Sequence, residues 1–297
     1  MKPEAKFSTR ILLPVALMFV GLFITSVIII LLVQILGSGS KTLFTVSAVI
    51  QNVVAFILPA VACAFLIAKR PWHSLRLDVA PSWLAIAVVL VVYFVSIPFL
   101  NFFTDWNAHM TLPESLSAWE ASMRSSEDQA QAITRTLLQG NSLPAMLGMV
   151  LVVGVLTGMG EEFFFRGSLL GICLDKPLNK HIAVLVVAIV FSAFHLQFYG
   201  FVPRLLLGLW LGYLLVWTQS LWVPIIAHAL NNSMVVIANY LGERQVLDLA
   251  GFENFGVPSH GEFPVLAVTS FIATAFVIFF FLKIKALQTP KISGKSQ

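Results

Sequence analysis

The sequence predicts an all-α, polytopic membrane protein of about eight transmembrane helices. Three observations predict it. Hydrophobic residues make up 58% of the 297-residue chain, above the roughly 45–50% of ordinary globular domains. Charged residues fall to 11%, against about 25% in such domains, and mean hydropathy is +0.90. The apolar residues are also gathered into long runs, and a run of about 18 or more is the length that crosses a bilayer as a helix. A disordered chain, a secreted disulfide scaffold and a nucleic-acid module are excluded on these grounds. Cys63 and Cys173 match no disulfide framework or metal-ligand spacing.

In chain order the runs lie at about Ile11–Leu36, Leu43–Ala68, Trp83–Phe103, Ala145–Leu174, Ile182–Tyr199, Val202–Trp217, Trp222–Tyr240 and Phe263–Leu282. Lys2, Lys6 and Arg10 precede the first run in the manner of a signal peptide. The run is too long for a signal core, and no small-residue cleavage site follows, so it reads as a retained span. With the N-terminus in the cytoplasm, the loops sort by charge. The inner side receives Lys2, Lys6, Arg10, Lys69, Arg70, Arg76, Lys176, Lys180, Lys283, Lys285, Lys291 and Lys295; the outer side receives Lys41, Arg124, Arg135, Arg204 and Arg244. This positive-inside bias predicts both termini inside; multi-pass topology without a targeting sequence suits a bacterial cytoplasmic membrane, with an organelle membrane as the alternative. It also accounts for the net charge of +4 without a nucleic-acid partner.

Two outer segments are long. Thr104–Leu143 carries Leu116, Trp119 and Met123 at helical spacing, then Ile133 and Leu137. It reads as an amphipathic helix on the membrane or a lid, or as a solvated loop with one short helix. Gly242–Glu262 is rich in glycine and acid and reads as irregular, and Lys283–Gln297 reads as a solvated cytoplasmic tail. The chain divides into N-terminal spans with an outer loop (1–144), a core (145–240), and a second outer loop with the last span and tail (241–297).

Once the loop charges are assigned, Glu161, Glu162 and Arg166 are left inside the fourth span. Each mid-membrane charge costs roughly 2.5–3.5 kcal/mol on insertion scales, which marks the cluster as a candidate functional site. Glu162 and Arg166 are four apart and share a helix face, so they can pair. Glu161 points about 100° away on the helical wheel. A carboxylate freed from the ion pair and shielded from water suits a general base. The competing reading is a purely structural ion cluster.

Two further constellations follow. Phe191-Ser192-Ala193-Phe194-His195 places a histidine in the fifth run, and His228 with Asn232 occupies one face of the seventh. A lone intramembrane histidine usually packs as a hydrogen-bonding residue. Together with the carboxylates, these groups supply a base, a proton partner and oxyanion donors. Counted along the helices, Glu161 lies about 20 Å from the inner end of its span and His228 only about 9 Å from the start of its own. The two meet only if the spans tilt or the seventh starts late. Small-residue pairs at Gly154/Gly158, Gly167/Gly171 and Gly208/Gly212 permit close helix approach.

This set resembles the CPBP intramembrane proteases, the CAAX prenyl endopeptidase, bacteriocin-processing and abortive-infection family. The three family patterns stand here as Glu161-Glu162-x-x-x-Arg166, Phe191-x-x-x-His195 and His228-x-x-x-Asn232, in order, over about Ala145–Tyr240. The resemblance implies an endopeptidase in which Glu161 activates water with help from His195. His228 and Asn232 stabilise the oxyanion, and Glu162 and Arg166 hold the site or orient substrate. It implies a peptide or lipidated protein as substrate, with membrane lipid around it. No cofactor is required on this reading; zinc held by Glu161, His195 and His228 is the alternative, although the His-Glu-x-x-His helix of zinc proteases is missing. A proton-coupled transporter and a non-catalytic bacteriocin-immunity protein of the same fold are the competing functions.

Overall fold

The computed structural model describes residues 6–140, 142–176, 178–259 and 261–288, and among them the regular structure is all helical. Lys2, Lys291 and Lys295 of the charge count lie outside the described residues.

Helix starts follow from local polar chemistry. α1 (Phe7–Leu36) stops at Gly37, whose φ of +76° a side chain would resist. The Ser40 hydroxyl then accepts from Leu43 N and opens α2 (Lys41–Ile67). In the same way Ser82 opens α3 (Trp83–Ala108), Ser142 opens α5 (Leu143–Leu174) and Asn179 opens α6 (Lys180–Phe194). An outer helix, α4 (Ser117–Leu138), falls between α3 and α5. α7 (Phe201–Thr218) ends at Gln219 in the left-handed conformation, and α8 (Trp222–Glu243) and α9 (Val265–Gln288) complete the set.

Each of the eight apolar runs is therefore a helix, with two qualifications. Six helices are long and apolar enough to cross a membrane: α1, α2, α3, α5, α9 and the stretch Phe198–Thr218 that contains α7. The other two carry the histidines. α6 has only 15 residues, about 22 Å of rise. The expected run to Tyr199 is cut short because Leu196 takes a φ of +55° and turns the chain. α8 is long, but His228, Asn231, Asn232, Ser233 and Asn239 make it polar.

α5 departs from a regular α-helix. Val150–Thr157 and Phe163–Leu170 are wound in wide π turns, leaving Gly158–Glu162 as a short α segment between them. Such turns are rare and concentrate at functional sites. α5 packs along α8, α6 along α7, and α9 along α3. Glycines set the first two contacts: a methyl group at Gly158 would stand 3.0 Å from Ala229 N, and one at Gly212 would stand 2.9 Å from Val184. Around the centre, Phe165 meets Phe164 and Phe191 edge-on, each at 5.2 Å.

The loops gather on two opposite faces. On one, Arg10 pairs with Asp175 at 2.8 Å, and Leu221 N and Trp222 Nε1 donate to the carbonyls of Arg76 and Leu77. On the other, Asn107 reaches Phe198 O and Val202 N, and Asn101 donates to the carbonyls of Phe252 and Phe255. The second outer loop is thus tied down, with a short helix at Leu249–Glu253.

Of the two readings of the first outer segment, the helix holds. α4 spans 22 residues with none buried. It docks through Glu120, which accepts from Leu112 N at 2.8 Å and from Arg124, while the Arg124 guanidinium lies 4.1 Å over the Tyr199 ring. The Leu112 N–H first, and then Arg124, hold the Glu120 carboxyl below its ordinary range.

Two expectations follow. Gly158→Ala should lower the thermal midpoint in detergent by the equivalent of about 1–3 kcal/mol through overpacking, whereas Gly148→Ala, with open space at its Cβ, should be neutral or stabilising. Because the Glu120 carboxyl is depressed in the folded state, its contribution is present above the ordinary carboxylate range and is lost as pH falls through the folded value. Protection against hydrogen exchange over residues 110–138, corrected for the intrinsic exchange rate at each pH, should fall on acidification in the wild type, and this step should vanish in Glu120→Gln.

Candidate active site

The α segment Gly158–Glu162 presents two consecutive carboxylates to α8. Glu162 is fully buried and its Oε1 accepts twice: from Arg166 Nη1 at 2.6 Å and from His228 Nδ1 at 2.8 Å. Arg166, also fully buried, spends Nη2 on the Gly208 carbonyl at 3.1 Å and stacks 4.5 Å over the Phe191 ring. Among the described ion pairs, Glu162–Arg166 alone has both side chains at 0% exposure. The i, i+4 spacing makes the pair local, and Gly208, packed closely on Ala188 and Phe191 of α6, presents its carbonyl to the second guanidinium nitrogen.

Glu161 faces the opposite edge of the same imidazole. Its Oε2 lies 3.8 Å from His228 Nε2, and its side chain is 14% exposed. The two glutamates, about 100° apart on an ideal wheel, therefore bracket one histidine: Glu162 behind it, sealed and with its Oε1 paired, and Glu161 in front and partly exposed; neither Oε2 has a protein hydrogen bond. With the Nδ1 proton given to Glu162, His228 can offer Nε2 to the site only as a lone pair or as a second N–H. With that second proton, Glu161, Glu162, Arg166 and His228 sum to zero charge.

The depth mismatch is resolved by a late start of α8. A methyl group at Gly167 would touch both Leu221 and Leu75, so α8 begins alongside the middle of the second π stretch rather than at the end of α5. The α2–α3 connection folds inward to cap that start, and both Leu75 and Leu221 are buried. His228 is thereby level with Glu161, and Gly158 allows the two backbones to touch there.

His195 follows directly after α6. Its Nδ1 donates to Phe191 O at 2.9 Å, which fixes the tautomer and leaves Nε2 as an acceptor. It lies within electrostatic range of Glu161 and His228. Asn232, one turn beyond His228, donates to Val153 O at 3.3 Å, a carbonyl in the first π stretch, and its Oδ1 accepts from Asn231. All six side chains named from the sequence thus belong to one neighbourhood formed by α5, α6 and α8.

Three polar residues had been passed over. Arg204 counts as an outer-loop cation by sequence, but α7 begins at Phe201, so Arg204 lies in its first turn with the guanidinium packed on Gly200. It donates to Gln197 Oε1 at 2.5 Å, and Gln197 donates to Glu127 of α4 at 3.2 Å. A polar chain so links the outer helix to the rim of the site. Glu127 was legible only as one acid among several, and nothing in the local pattern distinguishes Gln197.

Residues 143–234 match the family model described as "Type II CAAX prenyl endopeptidase Rce1-like". This segment, about a third of the chain, is similar to that family. The Rce1-like segment runs from the start of α5 into α8 and holds all six site residues. A Bacillus subtilis (strain 168) protein named "Putative membrane peptidase YdiL" is 28% identical over 100 residues, 34% of this chain and 41% of that protein. The match spans about two fifths of the relative's length.

Among the described residues, no group of three His, Cys, Asp or Glu side chains is arranged to hold a metal ion, the trio Glu161, His195 and His228 included. His195 Nδ1 donates to a carbonyl and His228 Nδ1 to Glu162, so each leaves Nε2, the nitrogen a metal would take, but the three side chains are not gathered as a ligand set.

Removing Arg166 strands Glu162 in an apolar interior, at about 3–5 kcal/mol. Arg166→Ala should therefore depress the thermal midpoint in detergent far more than Asn232→Ala, which loses two long hydrogen bonds of 3.3 and 3.2 Å and strands no charge. The reverse order would remove the structural role of the Glu162–Arg166 pair.

Proposed function

We propose that this membrane protein with an Rce1-like segment is an intramembrane endopeptidase of CAAX type. In this reading it hydrolyses a peptide bond of a hydrophobic or lipidated membrane-associated substrate through water activated by Glu161. The observation that carries the reading is the division of labour between the carboxylates. Glu162 is fully buried with its Oε1 held by Arg166 and His228 Nδ1, while Glu161 fronts His228 Nε2 at 3.8 Å and keeps 14% of its side chain exposed.

The chemistry balances with these groups alone. Glu161 takes a proton from water as the water oxygen bonds to the scissile carbonyl carbon. The carbonyl electron pair moves to its oxygen, which the protonated Nε2 of His228 and the Asn232 amide stabilise. His195, through its free Nε2, accepts from the attacking water and orients it. When the tetrahedral intermediate collapses, the C–N bond breaks and the amine leaves with the proton that Glu161 had taken. Arg166 and Glu162 act by position, fixing the His228 ring so that Nε2 points at the reacting atoms. A cavity of about 230 Å³ bordered by Trp210, Leu207 and Asn231 supports an apolar substrate segment beside the Asn232 donor.

The positive-inside bias supports a bacterial cytoplasmic membrane with the Arg10–Asp175 face toward the cytoplasm. This reading needs no cofactor.

Purified protein in detergent or nanodiscs, given a library of hydrophobic and prenylated peptides, tests the proposal. Wild type should cleave a subset. Glu161→Gln, which keeps the shape, should lose about 10²–10⁴-fold in rate with an unchanged thermal midpoint. Equal cleavage by both proteins would remove Glu161 as the base. Proton-dependent solute uptake in proteoliposomes without cleavage would instead favour a transporter.

A further inference from the structure

A large cavity lies away from the glutamates, on the face where Arg10 meets Asp175. It measures about 630 Å³ and is bordered by the start of α1, the α2–α3 connection, the α5–α6 turn and the α7–α8 turn. Five cations line it: Arg10, Lys69, Arg70, Arg76 and Lys176. Its two acids are already engaged. Asp175 takes Arg10 at 2.8 Å and Arg76 at 3.5 Å, and Asp78 takes His73 at 2.8 Å. Lys69, Arg70 and Lys176 form no ion pair among the described residues, so the lining carries a surplus of positive charge.

The cavity is also built, not merely a patch of surface lysines. The Arg76 and Gln219 side chains are hydrogen-bonded to each other, and both residues hold left-handed backbones, with φ of +56° and +57°. Such conformations are uncommon for residues with side chains and persist only where the surroundings impose them. Arg76 is nearly buried at 14% side-chain exposure. Burial pulls its guanidinium below its ordinary range, while Asp175 opposes that shift. The main chain here is therefore bent so that a half-neutralised arginine pair forms the wall of a basic cavity. Trp72, half exposed beside it, is packed edge-on against Phe65 at 5.4 Å. A tryptophan with one exposed side suits the headgroup level of a bilayer.

We propose that this cavity is a binding site for a phosphate group of net negative charge, the headgroup chemistry of anionic phospholipids, with Lys69, Arg70 and Lys176 as its free cations and Arg10 and Arg76 as its fixed wall. Basic cavities between transmembrane helices recognise such headgroups. The site is separate from the hydrolytic cluster and does not depend on it.

The test uses the intact protein in nanodiscs of mixed phosphatidylglycerol and phosphatidylcholine, with retained lipid counted by native mass spectrometry. Wild type should retain phosphatidylglycerol selectively. The triple variant Lys69→Gln/Arg70→Gln/Lys176→Gln should bind it about tenfold or more weakly. The charge-conserving Lys69→Arg/Arg70→Lys/Lys176→Arg should bind as wild type does, which separates loss of charge from loss of fold. Excess inorganic phosphate identifies the source: release of the lipid points to a soluble phosphate ligand of the same site, and retention points to the lipid. Equal retention of both lipids by wild type, or unchanged selectivity in a folded triple glutamine variant, would overturn the proposal.

Discussion

Glu162 is the constraint on which the rest of the structure turns. A carboxylate at 0% exposure in a membrane interior survives only if its charge is answered on the spot. Arg166 answers it along the helix and His228 answers it from across the bundle. Each answer imposes a condition on packing. Arg166 has a second nitrogen to satisfy, which brings the Gly208 carbonyl of α7 within 3.1 Å. His228 must come level with Glu162, which requires Gly158 at the α5–α8 contact and a start of α8 deep beside Gly167. The buried ion pair is a registration device for four helices, and its energetic benefit is secondary.

Function follows from the residue next door. Glu161 shares the backbone that Glu162 anchors, yet it has no cation of its own within ion-pair distance apart from the far edge of His228. The same imidazole carries both relationships, so fixing one nitrogen aims the other. On the proposed reading, this arrangement separates a structural acid from a chemical one within two consecutive positions. The π turns on either side accommodate it: they shift the phase of α5 so that both carboxylates reach α8, and they leave the Val153 carbonyl able to hold Asn232.

Much of this was legible in the sequence because membranes make charge conspicuous. The positions of the helices follow from apolar run length, and the Glu162–Arg166 pair from i, i+4 spacing. What escaped was set by geometry between helices. The meeting of His228 with both glutamates looked unfavourable by depth, because the inward fold of Leu75 and Leu221 has no local signature. The early end of α6 rests on the backbone of Leu196, which carries no glycine or proline to announce it. Arg204 counts with the outer cations although it falls inside the run that starts at Val202, because a cation in the first turn of a span reads as reaching the aqueous edge, and only the packing shows it at the rim of the site. The π turns of α5 leave no periodic trace, since the segment is apolar on every side.

The central claim is that Glu161 acts on a water molecule and does not itself bond to the substrate. A single turnover of purified protein in ¹⁸O-labelled water, followed by mass spectrometry of both the new peptide carboxylate and the protein fragment containing Glu161, separates direct attack by water from an anhydride on Glu161 that water opens at the glutamate carbonyl. The account predicts one ¹⁸O atom in the released carboxylate and none in the Glu161 side chain. Label in the Glu161 carboxyl, with unlabelled product from the first turnover, would mean a covalent acyl intermediate on that residue and would contradict it.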